Sequence, residues 1–371
     1  MKIIADDKIP FLRGVLEPFA EVCYLPGAQI SAADVADADA LIVRTRTKCN
    51  KKLLAGSRVR AVATATIGFD HIIPAELDEL GIAWSNAPGC NAASVKNYIA
   101  AAFALSGVDL RGRTLGVIGV GNVGKLVAEV GRAFGMNVLL NDPPRAEAEG
   151  SAGFTELEEL LEKSDVVTLH VPLECGGKYP TLKMADGKFF NRMKKGAWFF
   201  NSCRGEAVDV EAFLKAKHSG GIALALMDVW QGEPDIAPEL LAAVEFGTPH
   251  IAGYSVDGKA NGTAAAVRFI AEKLDIPQLC DFTVSTLPLP VFAEEIVIPD
   301  AVSDYDALVY AVKHAYDLSM DIDGLRSAPQ DFEKLRGSYW KRREFHAYTV
   351  INAPAGAVDN LKKLGFKVRE K

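Results

Sequence analysis

The sequence predicts an α/β protein: two doubly wound parallel sheets followed by a small α+β domain at the C-terminal end. Three observations predict this. Short apolar runs alternate with helical stretches over about the first ninety residues, a second alternating set begins near Arg113, and the pattern changes beyond Leu287-Pro288-Leu289-Pro290.

In the first set, residues 41–43, 59–63 and 82–84 are strand-like and bounded by Gly, Asp or Asn. Pro88-Gly89 breaks the chain, and an alanine-rich helix is predicted over 92–105. The second set holds strands at 115–118, 138–140, 166–169, 198–200 and 223–226, then a helix over 259–274. The last segment reads as helical over 304–318, basic over 334–343 and strand-like over 347–351. The run Lys341-Arg342-Arg343 within it reads as a solvated or interface face. The expected domains are 1–92 with 255–280, then 93–254, then 281–371.

The chain has 371 residues, enough for two or three domains. Its 49% apolar and 24% charged residues are ordinary for a soluble globular protein. A net charge of −7 argues against a nucleic-acid partner, which needs a basic surface. No apolar run approaches the ~18 residues of a membrane span, and the acidic start Ala5-Asp6-Asp7 is not a signal peptide. The six cysteines form no CxxC pair. They read as reduced thiols of a cytoplasmic protein, with no disulfide framework and no metal site.

Gly119-Val120-Gly121-Asn122-Val123-Gly124 fits G-x-G-x-x-G between a strand and a predicted helix at 125–134. The first glycine permits the tight turn, the second lets backbone approach a pyrophosphate, and the third lets helix and strand pack closely. Asp142 closes the next strand, where a carboxylate would bind the adenosine ribose and repel a 2′-phosphate. Together these predict a Rossmann lobe that binds NAD.

Three further strand ends carry chemistry: Asn201-Ser202-Cys203-Arg204, Asp228-Val229-Trp230-Gln231-Gly232-Glu233 and Thr248-Pro249-His250. Ligands bind at such ends in open parallel sheets. His250 is the candidate base for a substrate hydroxyl, because imidazole titrates in the useful range. Glu233 is the candidate partner for its other ring nitrogen, and Arg204 the candidate clamp for a carboxylate. Arg44 and Arg46, at the end of the 41–43 strand, are candidates for a substrate phosphate.

The glycine loop, Cys203-Arg204-Gly205, the segment 228–234 and Pro249-His250-Ile251-Ala252-Gly253 resemble the D-isomer-specific 2-hydroxyacid dehydrogenases. Pro88-Gly89-Cys90-Asn91-Ala92, Asp142-Pro143-Pro144-Arg145-Ala146 and Phe332-Glu333-Lys334-Leu335-Arg336 narrow the likeness to members acting on a 4-phosphorylated acid. The resemblance implies NAD-dependent oxidation of 4-phospho-D-erythronate to 2-oxo-3-hydroxy-4-phosphobutanoate, in pyridoxal phosphate (vitamin B6) formation. It also implies a flavodoxin-like substrate lobe and a homodimer joined through the C-terminal domain. By position, it assigns catalysis to Arg204, Glu233 and His250. Contacts to NAD fall on Asp142, Val171, Ser202, Cys203, Arg204, Asp228 and Gly253, besides Gly119, Gly121, Asn122, Val123 and Gly124. Contacts to substrate fall on Thr45, Thr66 and Tyr254. Another D-2-hydroxyacid dehydrogenase, such as a phosphoglycerate dehydrogenase, is the nearest alternative; an NAD-sensing binding protein or corepressor is the alternative of a different class.

Overall fold

The computed structural model describes residues 1–369, which divide into two compact units: 1–91 with 255–288, and 92–254 with the chain from 289 onward. The first unit is built on five parallel strands: β1 (Lys2–Asp6), β2 (Glu21–Leu25), β3 (Ala40–Val43), β4 (Ala61–Thr64) and β5 (Ala83–Ser85). Their order is β2-β1-β3-β4-β5, the flavodoxin-like arrangement. Strands β3 and β4 are wholly buried, which explains their apolar sequence up to Thr64 at the end of β4; a parallel strand is covered on both faces. The Val256–Leu274 helix covers one face, with Val267, Ile270 and Ala271 in the core beside Ile3, Ile42 and Ala63.

The second unit carries six parallel strands: β6 (Thr114–Ile118), β7 (Asn137–Asn141), β8 (Val166–Leu169), β9 (Ala197–Asn201), β10 (Ile222–Met227) and β11 (Phe246–Gly247). Their order is β11-β10-β9-β8-β6-β7. The direction of winding reverses between β6 and β8, so a ligand crevice opens at the carboxyl ends of these two strands. The glycine loop follows β6, and the segment beginning with His170 follows β8.

From 289 onward the chain, expected as a domain beginning at 281, packs within this second unit and shares its core. It adds a three-stranded parallel sheet, β12 (Glu295–Val297), β13 (Thr349–Ile351) and β14 (Lys367–Arg369), ordered β12-β13-β14. Ala307, Leu308, Ala311, Val350 and Leu361 share one hydrophobic cluster with Ile99, Phe103, Val127 and Phe134. Polar contacts reinforce it: Lys96 Nζ donates to the Lys363 carbonyl at 2.6 Å, and Phe345 N donates to Asn97 Oδ1 at 3.1 Å. Among the described residues, no helix is long and apolar enough to cross a membrane.

Candidate active site

The glycine loop begins as β6 ends, and its three glycines meet three different surroundings. Gly119 has φ +83°, and a Cβ there would lie 2.7 Å from the His170 carbonyl. At Gly124 a Cβ would run into the Gly119 carbonyl. Beside Gly121 there is open space, with nothing within 4 Å of an added Cβ. The first and third glycines are therefore required by packing, and the second leaves room for a phosphate. The Asn122–Ala133 helix starts directly behind, so its unpaired N–H groups and positive end face that room.

Asp142 holds this loop from β7. Its Oδ2 accepts from Val120 N at 2.8 Å, and its Oδ1 caps the Pro143–Glu149 helix through Arg145 N. Arg145 Nη1 donates to the Val120 carbonyl at 2.7 Å, while its Nε and Nη2 grip both oxygens of Glu149. The Arg145 guanidinium beside Asp142 is thus held by a carboxylate. Ser202 Oγ, at the end of β9, is buried without a hydrogen-bond partner. An open glycine loop, a strand-end carboxylate and an unsatisfied hydroxyl together suit a dinucleotide. Cys203 is also buried, which pushes its thiol up to about 11 and keeps it protonated.

The structure brings Glu233 and His250 together: Glu233 Oε2 lies 2.7 Å from His250 Nδ1. The other carboxylate oxygen, Oε1, accepts from Trp230 N at 2.8 Å. A carboxylate can only accept, so Nδ1 carries the hydrogen and the Nε2 lone pair is left to take a proton. Burial raises the Glu233 pKa, but the hydrogen bond and charge of His250, with help from Trp230 N and the Arg336 charge, bring it below its ordinary value.

Arg204 sits in the loop after β9, which Asn201 shapes: its Oδ1 accepts from Cys203 N and its Nδ2 donates to the Arg204 carbonyl. Gly205 lets this loop lie against the Trp230–Gln231 peptide, where a Cβ would collide. The Arg204 loop and the Glu233 loop are therefore neighbours by packing. Trp230 is fully buried and donates from Nε1 to the Thr248 carbonyl at 2.8 Å, tying the Glu233 loop to the His250 loop.

Asp228 is 1% exposed, and both its oxygens hold the His250 loop. Oδ1 accepts from Thr248 Oγ1 and Ile251 N, both at 2.7 Å, and Oδ2 from Ala252 N at 2.9 Å. Of the other residues expected at the cofactor, Asn122 is exposed, and Val123, Val171 and Gly253 are half-buried.

In the first unit, Thr45 and Arg46 are exposed and Arg44 donates to the Lys8 carbonyl at 3.2 Å. Thr66 Oγ1 is 2.7 Å from Thr64 Oγ1 and donates to the Gly68 carbonyl.

Three features are not apparent from sequence. His170, at the end of β8, has Nε2 2.9 Å from Thr168 Oγ1, and burial drives its pKa down to about 3, so it is neutral. Its only signal is its place at a strand end beside the glycine loop. Arg336 lies 5.5 Å over the Tyr254 ring, its Nε buried without a hydrogen-bond partner. Arg342, expected as solvated or interface charge, is 1% exposed and lies inside this unit. Nothing local in sequence announces its partners, which lie far away along the chain.

Residues 89–252 match the D-isomer specific 2-hydroxyacid dehydrogenase NAD binding domain, and residues 289–365 match a domain of unknown function. An erythronate-4-phosphate dehydrogenase of Bacteroides fragilis is 48% identical over 95% of this chain and 99% of its own length. The chain belongs to the erythronate-4-phosphate dehydrogenase family. A family member from Escherichia coli O157:H7 is 40% identical over 99% of this chain and 98% of its own. The D-lactate dehydrogenase of Aquifex aeolicus, solved with NAD and lactic acid, shares the fold with a TM-score of 0.61 at 24% identity. It covers 78% of this chain and 100% of its own. Membership of the family and the matched NAD-binding domain make the protein an NAD-dependent dehydrogenase.

Proposed function

We propose that this protein oxidises the 2-hydroxyl of 4-phospho-D-erythronate to the 2-oxo acid, a reading supported by a family name that gives erythronate 4-phosphate as substrate. The observation that carries the reading is the 2.7 Å hydrogen bond between Glu233 and His250, in loops that follow strands of the same sheet as the open glycine loop. Gly119, Gly121, Gly124, Asp142 and Ser202 hold the dinucleotide, with Asn122, Val123, Val171, Cys203, Asp228 and Gly253 around it. Bound there, NAD would supply the hydride acceptor for oxidation at C2. His250 Nε2 takes the hydroxyl proton, and Glu233 stabilises the imidazolium that results. Arg204 binds the substrate carboxylate in a planar two-point contact and polarises the forming carbonyl. On this reading Thr45, Thr66 and Tyr254 touch the substrate, and Arg44 or Arg46 takes its phosphate.

The test is NADH formation by the pure protein from 4-phospho-D-erythronate and from 3-phosphoglycerate. Turnover of the first with little of the second supports the reading. Preference for 3-phosphoglycerate points to another member of the superfamily, and NAD binding with no turnover to a sensor.

A homodimer is part of the same proposal. Val297 on β12, together with Leu289, Val291 and Tyr310, is exposed on the C-terminal segment, and β12 is an edge strand. Exposed apolar side chains and an unpaired strand edge suit contact with a second copy of the chain. Light scattering at the monomer mass would refute it.

The depressed Glu233 pKa also predicts a pH effect on stability. A carboxylate whose pKa is lower folded than unfolded stabilises the fold above the unfolded value, roughly pH 4.3. That contribution is lost as pH falls through the lower folded value. Thermal melts should therefore show wild type losing more stability than Glu233→Gln as pH falls from 5 to 3. Parallel curves would contradict the pairing with His250.

A further inference from the structure

We propose that Arg342, from the C-terminal segment, is a positioning residue for His250: it clamps the loop that presents the imidazole. His250 has φ +56°, a left-handed backbone that costs a side-chain-bearing residue energy and persists only where the surroundings impose it.

Two buried charges impose it from opposite sides. The Asp228 carboxylate takes the N–H groups of Ile251 and Ala252. The Arg342 guanidinium takes the carbonyls that follow. Its Nη2 donates to the Ile251 and Ala252 carbonyls at 3.2 and 2.9 Å, and its Nε to the Tyr254 carbonyl at 3.2 Å. Nη2 also reaches Ser94 Oγ at 2.8 Å, and that hydroxyl donates in turn to the Ala252 carbonyl. The loop peptides are thus strung, dipoles aligned, between an anion and a cation.

A fully buried guanidinium is tolerated only when its donors are satisfied and its charge is compensated. Here five hydrogen bonds go to backbone and hydroxyl oxygens, and the Tyr316 ring lies 4.2 Å beneath. Tyr316 and Tyr339 are fixed in turn by Asp321, which accepts from both hydroxyls at 2.6 and 2.7 Å. The segment matched as a domain of unknown function therefore acts within its own chain, supplying the outer half of the vice that holds the catalytic loop.

The inference rests on His250 being the proton carrier, and the test separates the two. In full-length protein, Arg342→Lys keeps the charge but gathers its donors on one atom, which cannot span three carbonyls. We expect this variant to fold, to bind NAD as wild type does, and to lose kcat by about tenfold to a hundredfold with little change in KM. Amide hydrogen exchange at 251–254 should quicken relative to β6 and β8. Val350→Ala, in the buried centre of β13, is the control: it should lower Tm without changing kcat or exchange in the loop. Wild-type kcat and loop exchange in Arg342→Lys would overturn the proposal. So would equal losses in Val350→Ala, which would mean that general stability is what was measured. If wild type makes no NADH, the functional reading fails, while the exchange data still decide whether the clamp exists.

Discussion

Replacing His250 with glutamine is expected to lower kcat for NADH formation by about a thousandfold, the range associated with a lost general base. NAD affinity should hardly change. Glutamine spans similar space, and its amide can still donate to Glu233 Oε2, the acceptor 2.7 Å from His250 Nδ1. What it lacks is a nitrogen lone pair able to take the hydroxyl proton near neutral pH. Stopped-flow measurement of NADH formation isolates the chemical step from product release, and fluorescence titration reads NAD binding separately. A loss below about tenfold would remove His250 from the role of base. A comparable loss of NAD affinity would instead mean that the loop had moved.

The glycine loop yields the second large effect, as a pair of variants that should fail in opposite ways. Gly121→Ala adds a methyl group where nothing lies within 4 Å, on a backbone whose φ of −73° lies outside the left-handed region. Stability should stay within about 0.5 kcal/mol of wild type, while NAD binding weakens by about tenfold or more because the pyrophosphate and the methyl compete for one space. Gly124→Ala drives its methyl group into the Gly119 carbonyl, backbone that cannot swing aside. It should cost about 3 kcal/mol through overpacking of helix on strand. Calorimetric melts and NAD titrations on both variants decide this. Unweakened NAD binding by Gly121→Ala would show that the phosphates lie elsewhere.

Much of this is legible in the chain because the signals are local. Buried parallel strands such as β3, Ala40-Leu41-Ile42-Val43 with all four residues buried, announce themselves as unbroken apolar runs. The glycine spacing and the acid closing β7 sit within one βαβ unit, so sequence distance and spatial distance agree. Strand β2 gives a weaker signal, the four-residue run Val22-Cys23-Tyr24-Leu25 behind Glu21, because it is a half-buried edge strand. Strand β11 gives none because it has two residues, fewer than any pattern can register.

The hold on the catalytic loop is illegible for a different reason. Asp228 resembles a cofactor contact by position, yet both its oxygens are occupied by residues 248–252. Arg342 stands among basic neighbours that suggest water, yet its acceptors lie about ninety residues earlier and beyond. Burial of a charge depends on what distant chain arrives to meet it, and no window of sequence contains that information.

The shared hydrophobic cluster of the second unit bears on how the chain must be made. While the ribosome is still short of residue 289, Ile99, Phe103 and Phe134 have lost part of their cover, and the carbonyls of 251–254 lack their cation. Synthesis from the N-terminal end therefore leaves this unit unfinished until translation is nearly over, with apolar surface open to chaperones in the interval. A premature stop near the Leu287–Pro290 connector would release not a trimmed enzyme but a nascent protein destined for aggregation or proteolysis.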